Sequence, residues 1–207
     1  MKKKNRPELR TSQVARIFKD MLDLRRIYCK DSEFFRMDEF WDWLSDEDGD
    51  SVGIQIKRYK SSNLDPYKNR AATIAFGDNA TLVVPEDMMV KAAEGCKLSN
   101  YTLAHEIGHL ALGHHARSAV VKNFQLFSSD NGLANIPPTV EELEANYAAV
   151  FFQCGIALLD PKIDPLELAN RASTDVYSVR KIKKLCGLDV FQRELIILSA
   201  SIERVVL

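Results

Sequence analysis

Cysteine is scarce: four residues in 207, at positions 29, 96, 154 and 186, and no two of them form a Cys-x-x-Cys pair. A cysteine-based metal site or dithiol redox motif is thereby excluded. The lysines at the N-terminus are not followed by an apolar run, so no secretory signal is read there. Reduced thiols and a cytoplasmic location are the corresponding expectations. Cys154, among Phe151, Phe152 and Ile156, reads as core. No apolar stretch is long enough to cross a bilayer. Neither sign of charge dominates, with a formal net charge of -1. The chain as a whole is therefore no electrostatic trap for nucleic acid or an anionic membrane. Internal repeats and low-complexity tracts are also absent.

What remains is a chain of ordinary globular composition, 46% hydrophobic and 28% charged. Its histidines are concentrated: all four lie between positions 105 and 115. They sit in Thr102-Leu-Ala-His105-Glu106-Ile-Gly-His109-Leu-Ala-Leu-Gly-His114-His115. Residues four apart on a helix lie one above the other, so His105 and His109 can reach one metal ion. Glu106 follows His105 and would stand beside that metal as a general base.

Periodicity places the surrounding elements. A helix is expected over Thr11–Ile27 and another over Asp38–Leu44, whose Phe40, Trp41 and Trp43 read as core. The acidic run Asp46–Asp50 suggests a calcium loop, but Ser51 and Lys57 stand where glycine and glutamate are required, so it reads as a polar turn. Strands are expected at Val52–Ile56, Ala71–Phe76 and Thr81–Val84, the last two joined as a hairpin. A short helix runs from Pro85 to Glu94 and ends at Gly95. The histidine helix follows, capped by Ser99 or Asn100 and closed by Gly113. Ser128–Pro138 reads as a turn-rich loop. Helices then cover Thr139–Leu159, Leu166–Ala172, Asp175–Leu185 and Val190–Val206. The fold class is α+β, mainly helical, with about three strands beside the His-Glu-x-x-His helix. Residues 1–160 would form a metallopeptidase-like domain with N-terminal helices, and residues 161–207 a helical segment packed on it.

A catalytic zinc takes three protein ligands and keeps one position open. His115, six residues after His109, has the spacing of a three-histidine site. The glycine such a site needs three residues after His109 is displaced, with Leu112 there and Gly113 next. His114 and His115 read more simply as surface residues past a helix end. The other candidates are Glu141, Glu142 and Glu144. Glu142 shares a helix face with Ala145, Asn146 and Ala149; the alanines allow close approach, and Asn146 is placed to hold a ligand in position. Thr139-Val-Glu-Glu142 is equally a capping box, in which Glu142 bonds back to its own helix start. Periodicity leaves ligand and cap even.

Thr102–His109, Glu142-Leu-Glu-Ala-Asn146-Tyr-Ala-Ala149 and the apolar run to Leu158-Leu-Asp-Pro161 resemble the ImmA/IrrE metallopeptidases. The strand before the histidine helix and Leu168–Leu185 extend the likeness over residues 71–187. The resemblance implies a gluzincin-like site with His105, His109 and Glu142 on zinc and Glu106 as base. It also implies a protein substrate, a repressor of a mobile element or stress response. Phe152-Gln-Cys154-Gly155 and the long stretch Ser118–Pro138 depart from the family pattern.

Tyr147 and His114 are candidate donors to an oxyanion. The sheet edge near Thr81–Val84 is a candidate platform for an extended substrate. Arg171, Arg180, Lys181, Lys183 and Lys184 on the C-terminal helices invite comparison with a DNA-reading helix-turn-helix; helices packed on the core with a solvated basic edge are the plainer reading. A metal-binding regulator or antitoxin-like partner without peptidase activity is the alternative function.

Overall fold

The computed structural model describes residues 8–31, 33–47, 54–60, 71–76, 79–114, 122–123 and 139–203. In chain order the elements are α1 (Thr11–Tyr28), α2 (Met37–Glu47), β1 (Ile54–Tyr59), β2 (Ala72–Phe76), β3 (Asn79–Pro85), α3 (Glu86–Ala93) and α4 (Lys97–Ala111). Then come β4 (Lys122–Asn123), α5 (Val140–Cys154), a 3-10 turn (Gly155–Leu159), α6 (Pro165–Arg171), α7 (Val176–Cys186) and α8 (Asp189–Glu203). The architecture is α+β and mainly helical, with one small sheet. The calcium-loop segment after Glu47 falls outside the described residues, as do His115 and 124–138.

The α1 helix buries Val14, Ile17, Phe18, Met21 and Leu22, a stripe at helical spacing. Phe18 meets Phe151 of α5 edge-on at 5.0 Å between ring centroids and Phe191 of α8 at 5.9 Å. Tyr28, Phe35, Phe40 and Phe152 continue this aromatic layer, with Phe40 and Phe152 4.8 Å apart. Phe40 and Trp41 are core, as their clustering implies. The same continuous core takes Leu168 and Ala169 of α6, Val179, Ile182 and Cys186 of α7, and Phe191 of α8. Asp164 and Asp175 cap α6 and α7, accepting from Leu166 N at 2.8 Å and Ser178 N at 2.7 Å.

The sheet has the order β1-β3-β2-β4, four strands where the pattern suggested three. The added β4 is two residues long and comes from the long stretch Ser118–Pro138, where no strand was expected, pairing Ala72 with Asn123. The β2–β3 hairpin is present, closing with Phe76 opposite Asn79. Its second strand is not an edge, however. β3 pairs parallel to β1, Ile56 opposite Leu82, and antiparallel to β2, Ile74 opposite Thr81. Thr81, Leu82 and Val83 are paired on both sides and Val84 on the β1 side, so the free sheet edge expected there as a substrate platform is ruled out. The reason is a crossover: β1 returns beside β3 rather than beside its neighbour in sequence. Leu82 and Val84 alternate toward the core.

The entry to the histidine helix also differs. α4 starts at Lys97 with Cys96 at its N-cap, and Asn100 lies inside the helix. The Asn100 side chain is fully buried and joins three segments. Its Oδ1 accepts from Met37 N at 2.7 Å, and its Nδ2 donates to Ala92 O at 2.9 Å and Cys96 O at 3.1 Å. These backbone groups at the α2–α3–α4 junction claim the amide that a cap would have used. Gly95 and Gly113 close α3 and α4 as expected, both at positive φ, +81° and +66°.

Candidate metal centre

Helix α4 is buried over most of its length, from Ser99 to His109. His105 and His109 therefore present their rings inside the protein, each 1% exposed. Their Nε2 atoms are 3.0 Å apart. Helix α5 crosses α4 closely because Gly108 faces Ala145 and Ala148. This crossing brings the first turn of α5 over the imidazole pair. Glu142 Oε2 is 3.3 Å from His105 Nε2, and Glu142 Oε1 is 3.7 Å from His109 Nε2.

The three donors form one group whose ligand atoms all lie within 4.8 Å of one another. For a tetrahedral ion held at about 2.1 Å, ligand atoms stand about 3.4 Å apart. Separations of 3.0, 3.3 and 3.7 Å fit that requirement. Two neutral imidazoles and a carboxylate are also the donor chemistry of a divalent cation. The group can hold a metal ion. Glu142 is 24% exposed, so the centre opens toward solvent on the α5 side. Glu106, between the two histidines in sequence, is fully buried.

The choice between cap and ligand for Glu142 resolves into a division of labour. Thr139 Oγ1 accepts from Glu142 N at 3.2 Å, which is half of the capping box. The Glu142 carboxylate does not complete it and turns to the imidazoles instead. One residue thus offers its backbone to the cap and its side chain to the site.

Three further residues lie elsewhere than the pattern suggested. Asn146 Oδ1 accepts from the Tyr101 hydroxyl at 2.8 Å, so it ties α5 to α4 one turn away from each ligand set. Burial pushes the Tyr101 hydroxyl well above its ordinary pKa. His114 is not a surface residue: it is 1% exposed. Its Nδ1 lies 2.8 Å from His109 Nδ1, and its Nε2 lies 2.9 Å from Glu144 Oε2. The left-handed turn at Gly113 folds the chain back at once after α4, which carries His114 under the helix rather than away from it. Glu144 was legible as a residue of the other α5 face, but its partner was not. Tyr147 lines a cleft of about 630 Å³ together with Tyr101, Leu143, Asn146, Val176 and Tyr177.

Three of the five basic residues singled out on the C-terminal helices make contacts within the chain. Lys183 Nζ donates to Asp160 O, Lys181 Nζ stands 5.8 Å from the Tyr147 ring centroid, and Arg171 covers the Phe34 ring at 4.5 Å. Among the described residues no helix is long and apolar enough to cross a membrane. All four cysteines are free thiols, and Cys154 is buried. Compared with protein-family models, with curated proteins and with solved structures, the chain matches none of them.

Proposed function

We propose that this protein is a zinc-dependent endopeptidase acting on a regulatory protein, such as a repressor of a mobile element or stress response. The observation that carries the reading is the convergence of His105 Nε2, His109 Nε2 and the Glu142 carboxylate within 4.8 Å, with Glu106 beside them in the His-Glu-x-x-His run. Zinc held there would supply Lewis acidity, polarising a peptide carbonyl and acidifying water. The chain's own part is proton transfer and positioning. Glu106 accepts a proton from the attacking water and passes it to the leaving amine nitrogen. His105 and His109 would hold the ion through their Nε2 atoms. Glu142 adds one negative charge, so the centre keeps net positive charge for a developing oxyanion. The cleft between α4, α5 and α7 is lined by Leu143, next to Glu142 in sequence, though by none of His105, Glu106, His109 or Glu142, and offers room for a substrate side chain beside the centre. The regulatory-protein substrate rests on the resemblance to the ImmA/IrrE peptidases over residues 71–187.

The test is purified full-length protein with and without zinc, mixed with candidate repressors. Cleavage that a chelator stops and zinc restores supports the reading. Glu106→Gln retains zinc and loses cleavage, and His109→Ala loses zinc. Glu106→Gln with stoichiometric zinc and undiminished cleavage overturns the base assignment. Wild-type protein that binds no divalent metal overturns the function.

A further inference from the structure

We propose that His114 and Glu144 form a buried relay that fixes the tautomer of His109 and thereby sets the affinity of the metal centre. The proposal deepens the metal-centre reading and rests on it. Both His109 and His114 are 1% exposed, and the Glu144 side chain is 14% exposed. Two ring nitrogens 2.8 Å apart, as His109 Nδ1 and His114 Nδ1 are, need one proton between them. Which ring carries it is decided at the far end of the chain.

Glu144 Oε2 lies 2.9 Å from His114 Nε2. A carboxylate is an acceptor only, so His114 must carry its proton on Nε2. A neutral His114 then has a bare Nδ1, and the shared proton belongs to His109 Nδ1. A neutral His109 protonated at Nδ1 has its lone pair on Nε2, which is the atom facing His105 and Glu142. The opposite polarity would put a proton on His109 Nε2, where it blocks coordination. It would also leave His114 Nε2 and Glu144 as two acceptors in contact. With His114 neutral, the two contacts are self-consistent in one direction only, from Glu144 through His114 to His109.

The rings meet at 68° with centroids 4.9 Å apart, so the contact runs edge to edge through the nitrogens rather than by stacking. Helix α5 contributes twice, with Glu142 at the ion and Glu144 at the far end of the relay. His114 would act on an ion through His109 and is a positioning residue. The usual arrangement places a carboxylate or carbonyl directly behind a ligating histidine. Here a second imidazole is interposed between the carboxylate and the ligating ring.

The test uses the full chain with zinc alone as probe. Long-range proton–nitrogen NMR of the zinc-loaded wild type reads each ring directly. The expected pattern is His109 protonated at Nδ1 and His114 protonated at Nε2 with a bare Nδ1. Competition with a chromophoric chelator then gives zinc affinity for Glu144→Gln and His114→Phe. Both are expected to bind zinc about 10- to 100-fold more weakly than wild type. In Glu144→Gln the His114 tautomer is expected to become mixed, since an amide can donate as well as accept. The relay is overturned by a wild-type His114 carrying its proton on Nδ1, or by wild-type zinc affinity in both variants; in either case the metal centre itself stands. Wild-type protein with no zinc affinity overturns the metal centre and the relay with it.

Discussion

Gly108 of α4 and Ala148 of α5 are so close that a Cβ on Gly108 would stand 2.9 Å from the Ala148 Cβ. The same atom would be 3.1 Å from Ala145 O and 3.3 Å from Ala145 Cα. Two of these three neighbours are backbone, which cannot swing aside. Since Gly108 lies between the paired histidines and α5 carries Glu142, this crossing sets the distance between the imidazoles and the carboxylate.

Gly108→Ala therefore pits two effects against each other. Alanine favours a helix by about 1 kcal/mol over glycine. Wedging one methyl into a closed helix crossing costs about 1–3 kcal/mol. The backbone contacts put the cost toward the upper end of that range, and net destabilisation of up to about 2 kcal/mol is expected. Separation of the helices should also move Glu142 outward and weaken metal binding. Thermal unfolding of the metal-free protein and chelator competition measure the two separately. A higher melting temperature with unchanged metal affinity would mean that the crossing has slack.

How much of this centre can be read from the sequence depends on how local each part is. His105 and His109 are legible because one helical period relates them, and no tertiary information is needed. Glu142 is legible as a candidate but undecided, because cap and ligand use the same residue and differ only in where the carboxylate turns. His114 is misread because exposure after a helix end is the default, and the left-handed turn at Gly113 reverses it. The strands are placed by pattern, within a few residues. That β3 lies inside the sheet is invisible, since β1 pairs with it across a gap in sequence that no local rule constrains.

Arg25 is a second nonlocal feature. Its guanidinium is fully buried at the C-terminal end of α5, donating from Nη1 to Phe152 O at 2.7 Å and Gln153 O at 3.2 Å, and from Nη2 to Glu33 O. Carbonyls at a helix C-terminus lack helical partners and carry partial negative charge, so a cation suits them. Gly155 follows at φ +55°, and a Cβ there would meet Arg25 Nε at 2.8 Å. Arg25→Met keeps the stem but leaves these carbonyls without a donor, at a cost of about 2–4 kcal/mol. Arg25→Lys should recover little, because one ammonium cannot replace a fork of donors. Urea unfolding tests both. A loss below about 0.5 kcal/mol in Arg25→Met would show that water replaces the guanidinium.

The four thiols should react in a definite order. Hydrogen bonds from Ser99 lower the Cys96 pKa, and Cys96 is partly exposed at the N-cap of α4. Burial raises that of Cys29, and pushes Cys154 and Cys186 up to about 12. The thiolate is the reactive form, so a lowered pKa means faster reaction near neutral pH. A chromogenic disulfide reagent at pH 7.5 should modify Cys96 first and Cys29 more slowly. Cys154 and Cys186 should react only after unfolding. Raising the pH toward 9 should speed Cys29 more than Cys96, whose thiolate is already the more populated of the two. Mass mapping of the labelled protein gives the order, and early labelling of Cys154 would contradict the packing of α5 against α1.

Tyr101 offers a pH test of the link between α4 and α5. Its hydroxyl donates to Asn146 Oδ1 at 2.8 Å, and its ring centroid is 6.5 Å from that of His105. Burial raises its pKa in the folded state, while the unfolded chain releases the same proton near about 10. A group with a raised folded pKa contributes stability that is complete below the unfolded value and is lost as pH climbs beyond it. Wild-type stability should therefore fall above pH 10 with one more proton in its slope than Tyr101→Phe shows. At pH 8 the variant should be weaker by about 1 kcal/mol, the worth of one buried hydrogen bond. The two stability curves must then converge as pH rises, because the wild type alone loses the Tyr101 contribution. The other tyrosines are common to both proteins and cancel in the difference. Parallel curves between pH 8 and 11 would show that the Tyr101 hydroxyl meets water in the folded state, and that Asn146 is not what joins α4 and α5.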